Sequence, residues 1–138
     1  MRDLERFRAA QRGSYESALR EIKNGRKNGH WMWYIFPQLS GLGMSATSLY
    51  YGISGLAEAR AYMADPLLGP RLIEISSALL ELETDRPQDV FWYPDDMKLR
   101  SCMTLFAAAA PDCDVFGRVL EKFFRGAPDE ITLSLLDN

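Results

Sequence analysis

Apolar residues recur at helical spacing along most of the chain, and each such stretch is bounded by proline, glycine or a residue that commonly caps helices. The spacing predicts helices over residues 4–10, 14–24, 54–64, 70–82, 95–109 and 114–124, with a last short helix from residue 129. In the second helix, Tyr15, Leu19 and Ile22 fall on one face. Ser14 can cap its start, and Gly25 can end it in the left-handed conformation.

Alternation of period two is almost absent, and the best strand candidate is the short segment 33–36. The proline residues fall between the apolar segments, and the chain contains no internal repeat or linker. We therefore predict an all-α fold, in which residues 1–138 form a single compact domain. The domain should be a bundle of about six to seven short helices with at most a very short strand.

The composition fits this picture and narrows the class of protein. With 138 residues, 47% of them hydrophobic and 25% charged, the chain matches one globular domain that needs no cross-links. It has no run of about 20 apolar residues and no secretory signal, so we expect no membrane span. Its two cysteines are too few for a disulfide framework. We therefore expect a cytoplasmic protein with reduced thiols, and Cys102 in the core.

The charge balance argues against several kinds of partner. A formal net charge of −3 disfavours non-specific binding of nucleic acid, which needs a basic surface. A local basic patch is still possible, because Arg20, Lys23, Arg26 and Lys27 lie close together. With one histidine and no standard ligand spacing, we predict no metal site, and we expect no cofactor.

Residues 29–52 combine aromatic side chains with polar groups and include the only histidine. A core helix with an aromatic cluster would explain each aromatic residue taken singly. The mixture of flat faces and directional polar groups is instead typical of a small-molecule pocket. The candidate ligand-binding residues of this segment are Trp31, Trp33, Tyr34, Gln38, Ser45, Ser48 and Tyr51. His30 is either a structural histidine or a proton carrier, since histidine exchanges protons near neutral pH.

A second candidate motif covers residues 93–101. Asp95 and Asp96 head a predicted helix, and Lys98 follows within the first turn. Helix capping and a local ion pair would explain this pattern without any further function. Alternatively, one aspartate caps the helix while the other faces a pocket with Lys98, as a base or as the stabiliser of an oxocarbenium-like centre. The candidate catalytic residues are therefore His30, Asp95 and Asp96, and Lys98 would hold an anion.

Both motifs resemble those of a known family. The first reads HWMWYIFPQL over residues 30–39 and GLG over 41–43, and the second reads PDDMKL over 94–99. These stretches are similar to the signature of domain-of-unknown-function family 1810, a bacterial family often labelled "calpastatin-like". The resemblance covers nearly the whole chain. It implies a compact, mainly helical single domain and brings no established activity.

A more distant resemblance concerns the order of the motifs, which is similar to that of the NADAR group. Members of that group act on N-glycosidic bonds of ADP-ribose-type nucleotides. The resemblance implies a pocket for a nucleotide or ADP-ribose-like ligand, with N-glycosidic hydrolysis as a candidate reaction. It is a likeness at the level of the fold, and function depends on the site.

Three functions therefore remain open. The first is a site for a small molecule, a nucleotide or NAD-derived metabolite, with or without hydrolysis. The second is a protein-interaction module, suggested by the surplus of aromatic residues together with Met32, Met44 and Met97. The third is a structural role for both motifs, which predicts that His30 and Lys98 are exposed and far apart. The sequence leaves the oligomeric state open.

Overall fold

The structure, a computed structural model, describes residues 3–137, which form ten helices. They are α1 (Glu5–Gln11), α2 (Tyr15–Lys23), α3 (Met32–Ile35), α4 (Ala46–Tyr51), α5 (Leu56–Ala64), α6 (Leu68–Leu80), α7 (Pro87–Val90), α8 (Asp95–Ala109), α9 (Val115–Phe124) and α10 (Glu130–Leu136). Within residues 3–137 no strand occurs, and pairing of the sheet type is limited to a parallel bridge between Leu39 and Ile53. The predicted all-α class is confirmed.

The seven predicted helices correspond to α1, α2, α5, α6, α8, α9 and α10, with ends shifted by a few residues. Gly25 ends α2 with a φ of 87°, as its position suggested. Asp129 caps α10 by accepting the backbone N–H of Thr132 at 2.9 Å. Asp95 does not act as a cap, because it is already the first residue of α8 and Pro94 occupies the capping position.

The strand expected at residues 33–36 is wrong, because this segment belongs to the one-turn helix α3 and its end. The amides of Ile35 and Phe36 donate to carbonyls one turn earlier, both at 3.1 Å. Met32 and Ile35 are three residues apart and both buried, so helical spacing, not alternation, matches the core. A helix of one or two turns leaves no repeat in the sequence, which is also why α4 and α7 were missed.

The helix α8 lies at the centre of the packing, in contact with α5, α7, α9 and α10. On one side of this centre, α6 packs against α2, α5 and α9. Cys102 of α8 is fully buried, as predicted. The largest fully buried side chains of the core are Tyr62, Phe7, Phe36, Phe91, Phe106 and Phe116. Among the described helices, none combines the length and apolar character needed to cross a membrane.

A buried ion pair fixes the chain after α4. The guanidinium of Arg6 lies 3.2 Å from a carboxylate oxygen of Glu58, and both residues are buried. The same guanidinium donates to the carbonyls of Tyr50 at 2.8 Å and Gly52 at 3.0 Å. Since the charges are paired and hydrogen-bonded, this arrangement joins α1, α5 and the end of α4.

Candidate functional site

A groove of about 640 Å³ lies between the loop that joins α3 to α4, the start of α8 and the start of α10. We call it the aromatic groove, and its aromatic and polar lining includes Trp33, Gln38, Ser45, Lys98 and Asp129. Trp33 comes from the first sequence motif and Lys98 from the second. The fold therefore brings the two motifs together at one surface depression.

Asp95 connects the second motif to the first through two lysines. Its Oδ1 lies 3.3 Å from Nζ of Lys98, and its Oδ2 lies 2.9 Å from Nζ of the buried Lys27. The Nζ of Lys98 is 3.8 Å from the ring centroid of Trp33. The Nζ of Lys27 is 5.2 Å from that of Trp31. One aspartate is thus paired with Lys98, and its charge is shared by a second, buried cation.

Three polar side chains of the groove keep hydrogen-bonding capacity for a ligand. Within residues 3–137 the side-chain amide of Gln38 has no hydrogen bond. Ser45 Oγ accepts the backbone N–H of Ser48 at 3.1 Å as the cap of α4, which leaves its proton available to donate. Asp129 Oδ2 accepts from the amide and hydroxyl of Thr132 at 2.9 and 2.6 Å, so Oδ1 is left for another donor.

The rim of the groove is apolar and exposed. Met44 is 85% exposed and Tyr93 is 82% exposed, and Met97 and Ile131 also border the groove with exposed side chains. Tyr93, Ile131 and Asp129 were not among the predicted site residues. Tyr93 lies directly before the Pro94–Asp95 stretch, which is the signal that could have found it. Nothing local in the sequence marks Asp129 or Ile131, because α10 reaches the groove through tertiary packing on α8.

A narrow recess continues the groove inward. Trp33, Gln38 and Gly43 border both spaces. Ser48 and Tyr51 border the recess but not the groove. The recess measures about 10 Å³, which is close to the smallest space that holds one water molecule. Ser48 and Tyr51 therefore lie near the site, behind the residues that a larger ligand would touch.

Trp31, one of the expected ligand contacts, faces the core. It is buried, and its Nε1 donates to Oε1 of Glu21 at 2.9 Å. The same oxygen accepts the backbone N–H groups of Asn28 at 2.7 Å and Gly29 at 2.8 Å. Burial acts to raise the pKa of Glu21, but these hydrogen bonds outweigh it and the pKa is lowered. Trp31 thus anchors the segment that leads into the first motif.

Tyr34, His30 and Asp96 also lie outside the lining of the aromatic groove. The Tyr34 hydroxyl donates to Ser14 Oγ at 3.1 Å, and its ring packs against Tyr51 at 5.4 Å between centroids. His30 is exposed to solvent. Asp96 is buried and borders a different cavity. Of the three candidate catalytic residues, only Asp95 is joined to the groove, through its ion pair with Lys98.

Comparison with solved structures identifies a close relative. The chain is similar to the conserved hypothetical protein Rv1873 from Mycobacterium tuberculosis, whose crystal structure superposes with a TM-score of 0.96. The two sequences are 46% identical over 99% of this chain and 97% of the relative. None of the curated proteins that were compared matches the chain.

The family expected from the two motifs is supported by a match along the chain. Neither the calpastatin-like label nor the likeness to the NADAR group receives support from these comparisons. The family model described as "Protein of unknown function (DUF1810)" matches residues 1–136. The match extends over both motifs that carried the resemblance and over the helices that form the aromatic groove. This chain therefore belongs to the DUF1810 family.

Proposed function

We propose that the aromatic groove binds a small anionic molecule with a flat ring system, as in a nucleotide or an ADP-ribose-like metabolite. The observation that carries the proposal is the stack of Lys98 on Trp33, at the place where the two motifs meet. The cation can bind the anionic group of such a ligand, and the aromatic ring beside it can contact the flat ring system. The proposal therefore rests on the chemistry of these two side chains.

The dimensions of the groove support a ligand of this size. Its volume of about 640 Å³ lies within the roughly 300–1,000 Å³ that is usual for small-molecule sites. Its walls are apolar at Leu42, Met44 and Met97, and a few polar side chains interrupt them. That composition is the one expected for a site that binds a mostly flat molecule and orients it through a small number of hydrogen bonds.

Each part of the ligand has a partner in the groove. The ammonium of Lys98 carries three N–H donors and shares a single carboxylate with Lys27, so donors remain for a phosphate. The exposed ring of Tyr93, and the part of the Trp33 ring that Lys98 leaves uncovered, offer surfaces on which a base can stack. The amide of Gln38 and the hydroxyl of Ser45 can then bind the polar edge of the base.

The arrangement supports binding better than N-glycosidic hydrolysis. A hydrolase of that type needs a carboxylate facing the sugar or the attacking water. Asp95 is neutralised by two lysines, while Asp96 and His30 do not line the groove. We therefore propose a binding function and assign no catalytic role to these three residues.

Isothermal titration calorimetry tests the proposal with AMP, NAD, ADP-ribose and GTP as probes. The variant Lys98→Gln removes the cation of the groove, and Lys23→Gln serves as a matched control because Lys23 is exposed at the end of α2. We expect at least one probe to bind the wild type and the control equally and to bind Lys98→Gln at least tenfold more weakly. Absence of binding at millimolar concentration, or equal binding by Lys98→Gln, would overturn the proposal.

The exposed rim favours one alternative, a protein-interaction module. Aromatic residues and methionine are enriched at protein interfaces, and Met44, Tyr93 and Met97 carry that character here. These side chains surround a concave space with polar groups inside it, which favours a small ligand over a flat interface. If the rim served self-association, the wild type would sediment as an oligomer, and Tyr93→Ser would have a lower sedimentation coefficient than the wild type.

A further inference from the structure

A second cavity, of about 370 Å³, lies beside the first turns of α8. We call it the arginine cavity, and its charged lining includes Arg86, Asp96, Arg100, Lys122 and Arg125. Asp96 and Arg100 of α8 border this cavity, whereas Lys98 and Ser101 of the same helix border the aromatic groove. Met97 borders both spaces and is the one described residue that their linings share, so the arginine cavity has its own set of polar groups.

The carboxylate of Asp96 lacks a partner among the described residues. The residue is only 5% exposed, and neither of its carboxylate oxygens takes part in a hydrogen bond or ion pair within residues 3–137. The neighbouring Asp95, in contrast, is paired with two lysines. A buried carboxylate without a hydrogen-bond partner is rare in folded proteins, and its place in the first turn of α8 offsets only part of the hydration that Asp96 has lost. It therefore points to a binding partner from outside the chain.

The cation that would normally pair with Asp96 is held elsewhere. Arg100 lies four residues further along α8, the usual spacing of an ion pair on a helix. Its Nε instead donates to the carbonyl of Ala127 at 2.9 Å. Lys122 donates to the carbonyls of Leu79 and Leu80 at 3.1 and 3.0 Å, so it is occupied by the end of α6. The fold thus keeps both nearby cations away from the buried carboxylate.

The cavity nevertheless carries an excess of positive charge. Its lining contains four cationic side chains and two carboxylates, those of Asp85 and Asp96, which leaves two positive charges in excess. Arg86 and Arg125 are exposed at the mouth, whereas Asp96 is buried. A ligand would therefore meet the arginines through an anionic group and reach Asp96 through a donor at its other end. Asp96 Oδ1 is shielded from solvent, so this contact falls to Oδ2.

We propose that the arginine cavity binds a small anion that also carries an ammonium group, such as a phosphorylated amine or an acidic amino acid. The ammonium would pair with Asp96, and the anionic group would pair with Arg86 and Arg125. A hydroxyl group could donate a hydrogen bond to Asp96 but would leave its charge uncompensated, whereas an ammonium supplies both the donor and the opposite charge. A plain anion could pair with the arginines but would leave Asp96 without an opposite charge.

Calorimetric titrations with three probes of increasing complementarity test this proposal: inorganic phosphate, glycerol 3-phosphate and phosphoethanolamine. With the wild type we expect phosphoethanolamine to bind at least tenfold more tightly than inorganic phosphate, and glycerol 3-phosphate to lie between them. This comparison needs no variant. If inorganic phosphate binds as tightly as phosphoethanolamine, or if none of the three binds, the proposal is wrong.

Two variants then test which residues contact the ammonium and which contact the phosphate of the ligand. Asp96→Asn should remove the preference for phosphoethanolamine, and its unfolding curve should show a folded protein at least as stable as the wild type. Arg125→Gln should weaken the binding of all three probes, whereas Arg118→Gln should not, because Arg118 is an exposed arginine within α9, the helix that Arg125 follows. A preference for phosphoethanolamine that persists in Asp96→Asn, or equal effects of Arg125→Gln and Arg118→Gln, would contradict the assignment.

Discussion

Lys98 lies over the indole ring of Trp33, with its Nζ 3.8 Å from the ring centroid. This contact joins α8 to α3, and it is supported by the carboxylate of Asp95, which holds Lys98 on one side and the buried Lys27 on the other. The contact between Lys98 and Trp33 is thus continued by two ion pairs, from Lys98 to Asp95 and from Asp95 to the buried Lys27. The two lysines differ in burial, and this difference leads to a prediction about stability.

Loss of Asp95 should destabilise the fold far more than loss of Lys98. Asp95→Asn leaves Lys27, 4% exposed, without its carboxylate, and we expect a cost of about 3 kcal/mol in the free energy of unfolding. Lys98→Gln keeps the pair between Lys27 and Asp95, so its cost should stay below about 1 kcal/mol. Urea unfolding curves measure both values. Equal effects would mean that the buried pair does not carry the stability.

Two glycines within helices should respond in opposite ways to alanine. A Cβ at Gly69 of α6 would overlap the backbone carbonyl of Met63 in α5, so Gly69→Ala should cost about 1–3 kcal/mol. A Cβ at Gly117 of α9 would meet nothing within 4 Å, so Gly117→Ala should stabilise the protein by roughly 0.5–1 kcal/mol. Thermal unfolding of the two variants and the wild type shows whether each substitution raises or lowers the stability. A stabilised Gly69→Ala variant would show that α5 and α6 are not in such close contact.

The carboxylate of Glu21 should make stability depend on pH in the acidic range. Burial alone would raise its pKa, but hydrogen bonds from Gly29, Asn28 and Trp31 lower it in the folded state. A lowered pKa in the folded state means a contribution that is complete above the ordinary glutamate pKa and is lost as the pH falls through the folded value. The advantage of the wild type over Glu21→Gln should therefore be constant near neutral pH.

Below about pH 4 the same advantage should shrink, because glutamate in the unfolded chain is then largely protonated. Unfolding curves of the wild type and Glu21→Gln, measured from neutral to acidic pH, test this dependence. Glu16→Gln is a suitable control, because Glu16 lies exposed on the same helix α2. A difference between wild type and Glu21→Gln that grows toward acidic pH would contradict the expected direction.

The long helices were predictable because each carries several apolar residues at helical spacing, but the directions of neighbouring side chains were not. Trp31 and Trp33 are two residues apart, yet Trp31 bonds to Glu21 in the core and Trp33 lines the aromatic groove. Asp95 and Asp96 are consecutive in α8, and a helix turns by about 100° per residue. They consequently face different surroundings, one with two lysines and one beside the arginine cavity.

These directions depend on contacts between residues that are distant in sequence. Lys27 follows α2, and it reaches Asp95 only because that part of the chain packs near the start of α8. Asp129 enters the aromatic groove because its amide donates to the Thr104 hydroxyl of α8 at 2.8 Å. Neither contact leaves a local pattern, so Trp33, Asp95 and Lys98 could be named as candidates from the sequence while Lys27 and Asp129 could not.

Arg6 should control the local stability of α4, whose capping residue Ser45 borders the aromatic groove. Its guanidinium donates to the carbonyls of Tyr50 and Gly52 and pairs with Glu58, and the contacts with Gly52 and Glu58 are buried. Arg6→Lys keeps the charge, but a single ammonium cannot reach these separate acceptors with the planar geometry of the guanidinium. We expect a loss of about 2–4 kcal/mol in the free energy of unfolding, since buried acceptors lose their donors.

Hydrogen exchange separates this local effect from a general loss of stability. The amide of Leu49 donates to the carbonyl of Ser45 within α4 at 3.0 Å, and it should exchange faster in Arg6→Lys by more than the global loss explains. Arg12→Lys provides the matched control, because Arg12 lies exposed just after α1 and pairs only with the exposed Glu5 among the described residues. If exchange in α4 follows global unfolding in both variants, Arg6 holds the whole fold and not this segment. If exchange becomes faster in α4 alone, the buried guanidinium of Arg6 in α1 stabilises α4 locally, and with it the side of the groove at Ser45.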